Sequence, residues 1–376
     1  MQPKSLSDNA TAKFDDLLKT AVAQGDIPVV IASVANRESV LYQGAVGAPF
    51  KSIFWIASMT KPVTSVSIMM LKERGLLDLD DRLDKYLPQY ADREVIKDFD
   101  AETATYTTRP PKTPITLRHL MTHTAGFAYD FNNEIVNALC KDGKNSALDL
   151  PLLHDPGARW TYGSSTTILG DVIECVTGEK FYEFQKSQIL EPLGMTDTDY
   201  FLKEDSITRL VPMHIRLSEE TIQLPIEPFK PHLKADGGLL GTAADYILFL
   251  QMLLNNGSLH GVRILSEASV EEMLENQLRH LTIETQPGAK PEVSCAFPLG
   301  AGKDTFSLGF QLKTSNEHNA RAPGSYSWAG LFNTHFWADP RNGIAAVLLT
   351  QLLPFYDDRC IKLLSNFERC VYEHLV

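Results

Sequence analysis

The chain has 376 residues, of which 44% are hydrophobic and 22% are charged, so it can bury a large core in one large domain or in two. Its formal net charge of -12 and the lack of any Lys/Arg-rich block disfavour nucleic acid and anionic membranes as partners. The N-terminal residues lack the apolar core of a secretory signal, and no stretch is apolar over the length that a bilayer requires, so a cytoplasmic location is expected.

The N-terminal part of the chain predicts a helix followed by a β-hairpin. Apolar residues recur at helical spacing from Phe14 to Val22, and Gly25-Asp26 marks the end of this pattern. Residues 29–35 are typical of a buried strand, and residues 40–44 continue as a second strand after a short turn.

The middle of the chain, residues 65–205, is predicted to be a largely helical insert. Helical apolar spacing, interrupted by Pro and Gly, marks the segments 83–87, 117–121, 168–177 and 181–190. The C-terminal part instead predicts a meander of strands and then a helix with one apolar face, at residues 306–312, 325–329, 333–338, 343–351 and 361–375.

These patterns predict an α/β (α+β) fold in which strands from both chain ends form one antiparallel sheet flanked by helices. Residues 1–64 and 206–376 would form a discontinuous sheet domain, and residues 65–205 would form a mainly helical domain. We expect the active site in the cleft between the two domains.

A potential nucleophile and base lie in Ser58-Met59-Thr60-Lys61, at the start of a helical pattern that runs to about Arg74. In a helix, this spacing sets the Lys61 amine one turn above the Ser58 hydroxyl, as an acyl-enzyme mechanism requires. A chain of this length contains roughly one S-x-x-K by chance, so the motif needs independent support.

Two further segments offer complementary chemistry. Tyr162 follows a turn-rich stretch, and its phenol near Ser58 and Lys61 can relay a proton to a leaving group; the alternative is a buried tyrosine with a structural hydrogen bond. Gly330 ends a predicted strand, and the backbone N–H of Leu331 can join that of Ser58 in an oxyanion hole; the alternative is an ordinary edge strand and turn.

Taken together, the three segments resemble the motifs of the serine β-lactamase-like superfamily, and their order and spacing resemble its class C branch. The motifs are Ser58-Met59-Thr60-Lys61, Tyr162-Gly163-Ser164 and Trp328-Ala329-Gly330. Further stretches typical of that branch cover nearly the whole chain, at residues 73–81, 120–126, 191–195 and 237–245. The resemblance implies a β-lactamase/transpeptidase-like fold and no cofactor.

The resemblance also implies roles for individual residues. Ser58 is the expected acylated nucleophile, and Lys61 and Tyr162 are expected to act as one coupled proton-transfer pair. The backbone N–H groups of Ser58 and Leu331 are expected to form the oxyanion hole.

Two departures from the class C pattern bear on the substrate. Trp328 stands where a Lys would help to hold a substrate carboxylate, and Ser164 stands where an Asn would contact a substrate amide. Both changes resemble the family VIII-type esterases and the fungal statin-type transesterase, so esters or thioesters are expected rather than lactams. The expected substrate-binding residues are Trp55, Phe127, Tyr129, Trp160, Ser164, Trp328, Ala329, Gly330 and Phe332, although each of the aromatic residues Trp55, Phe127, Tyr129, Trp160 and Phe332 is equally compatible with the core.

A metal site is not expected, because His119 and His123 lack the Glu of an H-E-x-x-H motif. The five cysteines have no C-x-x-C spacing and are expected to be reduced structural thiols. The predicted function is a serine hydrolase or acyltransferase with a small-molecule ester or thioester donor and, for transfer, an alcohol or amine acceptor. An acyl-carrier protein as donor, a β-lactamase or D-amino-acid peptidase activity, and a catalytically silent scaffold are the alternatives left open.

Overall fold

The computed structural model describes residues 4–143, 145–225 and 227–376, and these contain both helices and strands throughout. The α-helices are α1 (Ala10–Ala23), α2 (Thr60–Glu73), α3 (Leu117–Met121), α4 (Glu134–Cys140), α5 (Ser165–Thr177), α6 (Phe181–Gln185), α7 (Ala243–Leu254), α8 (Glu267–Leu274) and α9 (Asp358–Glu373). The strands are β1 (Val30–Asn36), β2 (Val40–Val46), β3 (Phe54–Trp55), β4 (Val95–Asp100), β5 (Thr105–Arg109), β6 (His214–Leu217), β7 (Glu220–Gln223), β8 (Leu240–Gly241), β9 (Ser258–Leu259), β10 (Val262–Arg263), β11 (Thr305–Phe306), β12 (Gln311–Leu312), β13 (Tyr326–Gly330), β14 (Thr334–Asp339), β15 (Ile344–Leu349) and β16 (Leu352–Leu353).

A seven-stranded antiparallel sheet with the order β11-β12-β13-β14-β15-β1-β2 forms the centre of the fold. The N-terminal strand β1 pairs with β15 near the C-terminus, with Ile31 opposite Leu349. The predicted antiparallel sheet built from both chain ends is therefore confirmed.

Helices cover both faces of this sheet, and successive residues of β14 show how. Trp337 faces a cluster with Phe14 of α1 and Phe367 of α9. Phe336, one residue earlier, faces the larger cluster that includes Val63 of α2 and Ile247 of α7. This alternation follows from the two-residue period of a strand, and it buries the strand on both faces.

One predicted strand is wrong. Residues 306–312 form the end of β11, a turn and β12, which pair with each other as a hairpin. Gly309 lies in the turn with a φ of 104°, and a side chain there would meet the Ser65 hydroxyl at 2.4 Å. The chain reverses here because glycine allows both the positive φ and the close approach to α2.

The segment 65–205 contains α3, α5 and α6 where helices were predicted, but it is less regular than expected. The predicted helix at 83–87 is a 3-10 turn, and α6 passes into a π-helical turn at Lys186–Leu190. The β4–β5 hairpin was not predicted, and α7 and α8 lie outside the segment. The proposed domain boundaries therefore remain a prediction.

Residues 1–3, which belong to the segment assessed for a secretory signal, lie outside the described residues. Within the described ranges, no helix combines the length and the apolar character needed to cross a membrane. All five cysteines are free thiols, and Cys360 is buried in the cluster between α1 and α9.

Candidate active site

Ser58 lies on a 3-10 turn, Ala57–Met59, immediately before α2. Ala57 has a φ of 45°, in the left-handed region that non-glycine residues seldom occupy. Between Ile56 and Leu71, Ser58 is the one residue that is not fully buried. A strained turn thus presents a single hydroxyl at the edge of the core, an arrangement that often marks a functional site.

Lys61 is the nearest basic group to this hydroxyl. Its side chain is 2% exposed, and its Nζ lies 2.9 Å from Ser58 Oγ and donates to the main-chain oxygen of Asp236 at 2.7 Å. The first turn of α2 brings the two side chains together, because residues three apart share one helix face. A base is therefore in hydrogen-bond contact with a potential nucleophile.

Tyr162 approaches the same amine from the loop before α5. Its main chain is held on both sides, since its N–H donates to Gln286 Oε1 at 3.2 Å and its carbonyl accepts from Asn132 Nδ2 at 3.0 Å. The Lys61 Nζ lies 5.0 Å from the centroid of the Tyr162 ring. The hydroxyl accepts from Trp328 Nε1 at 3.3 Å, and within the described residues it does not hydrogen-bond to Ser58 or Lys61.

The end of β13 packs directly against the turn that carries Ser58. A side chain at Gly330 would meet the main-chain oxygen of Ile56 at 2.2 Å, so only glycine allows this approach. Thr334 Oγ1 donates to the same oxygen at 3.3 Å. In the part of the chain that the structure describes, the N–H groups of Ser58 and Leu331 donate to no protein oxygen, which leaves both for a ligand.

Three residues that were not predicted to take part in the chemistry also surround the amine or the Tyr162 ring. Tyr129 donates to Asp236 Oδ2 at 2.5 Å, and burial, together with that carboxylate, raises the pKa of the Tyr129 phenol well above its usual range. The His123 ring lies 4.8 Å from the Tyr162 ring, and burial, followed by the Lys61 charge, lowers the pKa of His123 well below its usual range. The sequence indicated Tyr129 only as a candidate pocket residue and His123 only as a candidate metal ligand. Asp236 was not predicted. It lies immediately before the family stretch at residues 237–245, and that position is the signal that could have identified it.

The predicted substrate-binding residues divide into two groups by burial. Trp55, Tyr129 and Phe332 are half-buried, and the Trp55 ring lies 5.6 Å from the Phe229 ring. Phe127, Trp160, Ser164, Trp328, Ala329 and Gly330 are all buried.

Trp160 has no exposed surface, which favours the core alternative for this residue. Phe127 is 2% exposed and packs against Tyr90 at 6.3 Å, which also favours the core alternative. The Ser164 hydroxyl has no hydrogen-bond partner among the described residues, although it is buried beside Tyr162.

His119 has a local structural role. Its Nδ1 accepts from Thr116 N at 3.2 Å while its own N–H donates to Thr116 Oγ1 at 3.3 Å, a capping box at the start of α3. Within the described ranges, no three His, Cys, Asp or Glu side chains come together in a way that could hold a metal ion. The absence of a metal or cofactor remains a prediction.

The chain is similar to several known proteins. Monacolin J acid methylbutanoyltransferase of Aspergillus terreus is 29% identical over 343 residues, which cover 84% of this chain and 81% of that protein. Lovastatin esterase of Penicillium rubens is 27% identical over 358 residues, 85% of each chain. A solved variant of simvastatin synthase from Aspergillus terreus has a TM-score of 0.84 and 24% identity, covers 97% of this chain and 95% of its own, and shows the predicted β-lactamase/transpeptidase-like fold. Because the Beta-lactamase family model matches residues 14–368, the chain belongs to the β-lactamase family.

Proposed function

We propose that the protein is a serine acyltransferase or esterase that acts on esters or thioesters through an acyl-Ser58 intermediate. The observation that carries the proposal is the 2.9 Å contact between the Lys61 amine and the Ser58 hydroxyl, on a strained turn at the edge of the core. Relatives named as an acyltransferase and as an esterase support the same chemistry.

The reaction proceeds in two halves. In the first, Ser58 Oγ attacks the acyl carbon and passes its proton to the coupled pair of Lys61 and Tyr162. The N–H groups of Ser58 and Leu331 hold the negative oxygen of the tetrahedral intermediate, which collapses and expels the alcohol or thiol as it takes up the proton. In the second half, water or an acceptor alcohol or amine attacks the acyl-enzyme, and the same pair removes the proton of the attacking group.

The third motif favours esters and thioesters over anionic lactams. Trp328 replaces a cation that would hold a substrate carboxylate, and its only polar hydrogen is already donated to Tyr162. Ser164 offers a hydroxyl in place of an amide. If this site acted on β-lactams, the activity for which the family is named, it would lack two of the polar contacts that hold such a substrate.

Hydrolysis and transfer use the same acyl-enzyme, so they differ only in which nucleophile reaches it. The half-buried rings of Trp55 and Phe332 can hold an acceptor beside the acyl carbon, while an unoccupied cleft admits water. An acyl-carrier donor stays an open alternative, and a cytoplasmic location stays a prediction from the sequence.

Ser58→Ala tests the proposal. The variant should fold normally, because it loses one partly exposed oxygen, but it should lose all labelling by a fluorophosphonate and all turnover of p-nitrophenyl butyrate. Intact mass should show one adduct on the wild type and none on the variant. An adduct on Ser58→Ala at the wild-type rate would overturn the proposal, and efficient nitrocefin hydrolysis by the wild type would replace it with β-lactamase.

A further inference from the structure

The Lys61 amine has neighbours that the three motifs do not account for. Asp236 contacts the amine directly, because its main-chain oxygen accepts from Lys61 Nζ at 2.7 Å. Its carboxylate accepts from the Tyr129 hydroxyl at 2.5 Å, and Tyr129 in turn lies beside the amine. Asp236 is 6% exposed, so its carboxylate is almost entirely removed from water. Such a carboxylate requires hydrogen bonds and a nearby positive charge to be tolerated.

The Tyr129 ring lies beside the Lys61 amine. Lys61 Nζ lies 5.4 Å from its centroid and 5.0 Å from that of Tyr162, and the two rings are 5.5 Å apart. An ammonium near two ring faces is attracted to both. The Tyr129 ring also stacks on the Phe131 ring, with the two centroids 5.0 Å apart.

The charged groups around Lys61 also indicate a role for Tyr129 and Asp236. Among the described residues, no carboxylate forms an ion pair with Lys61, and burial, followed by the Lys61 charge, lowers the pKa of His123 well below its usual range. Asp236 is the acidic residue in contact with the buried amine, and its main-chain oxygen makes the contact. Electrostatic interactions are strong in such a water-poor setting.

We propose that Tyr129 and Asp236 are positioning residues that hold the Lys61 amine on Ser58 and that the Asp236 charge selects neutral acyl groups. This inference rests on the proposed function and deepens it. With Trp328 in place of a cation in the third motif, no cation of that motif offsets the Asp236 carboxylate, so an anionic acyl group is disfavoured. A neutral acyl group escapes the repulsion from Asp236.

The test compares rates for two esters with the same leaving group, neutral p-nitrophenyl butyrate and anionic p-nitrophenyl hemisuccinate, together with fluorophosphonate labelling. Tyr129→Phe and Asp236→Ala should lower the labelling rate and kcat by about 10- to 100-fold with little change in KM, because a displaced amine slows chemistry more than binding. Asp236→Asn keeps an acceptor for Tyr129, so it should recover part of the butyrate rate and raise the ratio of hemisuccinate to butyrate turnover.

Tyr42→Phe is the matched control. Tyr42 is another buried tyrosine that donates to a carboxylate, Asp15 Oδ1 at 2.9 Å, on the α1 side of the sheet. It should leave both rates and their ratio at wild-type values, which separates loss of a buried hydroxyl from loss of this one.

Two results would overturn the inference: a wild-type labelling rate in Tyr129→Phe, or an unchanged ester ratio in Asp236→Asn. If Asp236→Ala fails to fold, these two conservative variants still decide the question. Absence of labelling at Ser58 in the wild type would overturn the proposed function as well, whereas normal wild-type labelling with an unaffected Tyr129→Phe overturns the positioning pair alone.

Discussion

At the scale of single residues, the hydrogen-bond pattern around Tyr162 restricts where its proton can go. The Trp328 indole can only donate, so its contact with the Tyr162 oxygen forces the phenolic hydrogen to point elsewhere. The Lys61 amine lies over the ring and contacts Ser58. In the proposed mechanism the proton of Ser58 goes first to the Lys61 amine, and a bound substrate must bridge to the Tyr162 hydroxyl because the two groups are not hydrogen-bonded to each other.

A double-mutant cycle tests that linkage. Lys61→Ala and Tyr162→Phe should each slow fluorophosphonate labelling of Ser58 by about 10²- to 10⁴-fold, as expected for loss of a proton-transfer group. The double variant should be only slightly slower than either single variant, because members of one catalytic unit are strongly non-additive. Losses that multiply in the double variant would show that the two side chains act independently.

At the scale of elements, a buried ion pair ties the C-terminal helix to the small sheet beside it. Arg216 Nε of β6 donates to Asp357 Oδ2 at 2.5 Å, and the two side chains are only 7% and 6% exposed. Asp357 also caps α9, since its Oδ1 accepts from the main-chain N–H groups of Arg359 and Cys360 at 3.1 and 3.2 Å. One carboxylate thus satisfies both a cation and a helix end.

Asp357→Ala should lower the free energy of unfolding by about 3–5 kcal/mol, because it leaves the Arg216 charge buried without its partner and removes the cap. Urea unfolding followed by circular dichroism measures this loss. Asp358→Ala is the matched control, since Asp358 is exposed in the same first turn, and its effect should stay within about 0.5 kcal/mol. Equal losses in the two variants would assign the effect to helix charge rather than to the buried pair.

Elements with a clear apolar period were predictable from the sequence, and those shaped by distant contacts were not. The helix at 361–375 was expected from its apolar face, whereas the ion pair between its cap residue Asp357 and Arg216 joins positions 141 residues apart. The β4–β5 hairpin is largely exposed and polar, so it lacks the apolar pattern of a strand.

The same distinction holds at the site. Ser58 and Lys61 are three residues apart on one helix, so their contact was expected from spacing, and the roles of Tyr162 and Leu331 came from the family resemblance. Tyr129 and Asp236 are separated by 107 residues, and no local pattern relates them. Burial distinguishes the aromatic residues, since composition alone does not tell the buried Trp160 from the half-buried Trp55.

At the scale of the whole molecule, the fold is compatible with both hydrolysis of the acyl-enzyme and transfer of its acyl group to an acceptor. The sheet brings β13 from the C-terminal part of the chain against the turn that carries Ser58 from the N-terminal part. Relatives of similar identity are named as a transferase and as an esterase, so the choice of acceptor depends on the residues around the cleft. Trp55, Phe229 and Phe332 are half-buried aromatic residues, and the rings of Trp55 and Phe229 pack together.

We predict that a bound acceptor intercepts the acyl-enzyme in preference to water. Positioning can supply an effective concentration of roughly 10⁵ M, which exceeds water at about 55 M. With a butyryl thioester as donor and a panel of hydroxylated and amine metabolites, acylated product should exceed free butyrate for at least one acceptor. Trp55→Ala should shift that partition toward free acid while Ser58 labelling stays near the wild-type rate, because the variant removes an aromatic surface and leaves Lys61 in place. If free acid dominates with every acceptor while turnover stays fast, the protein is an esterase.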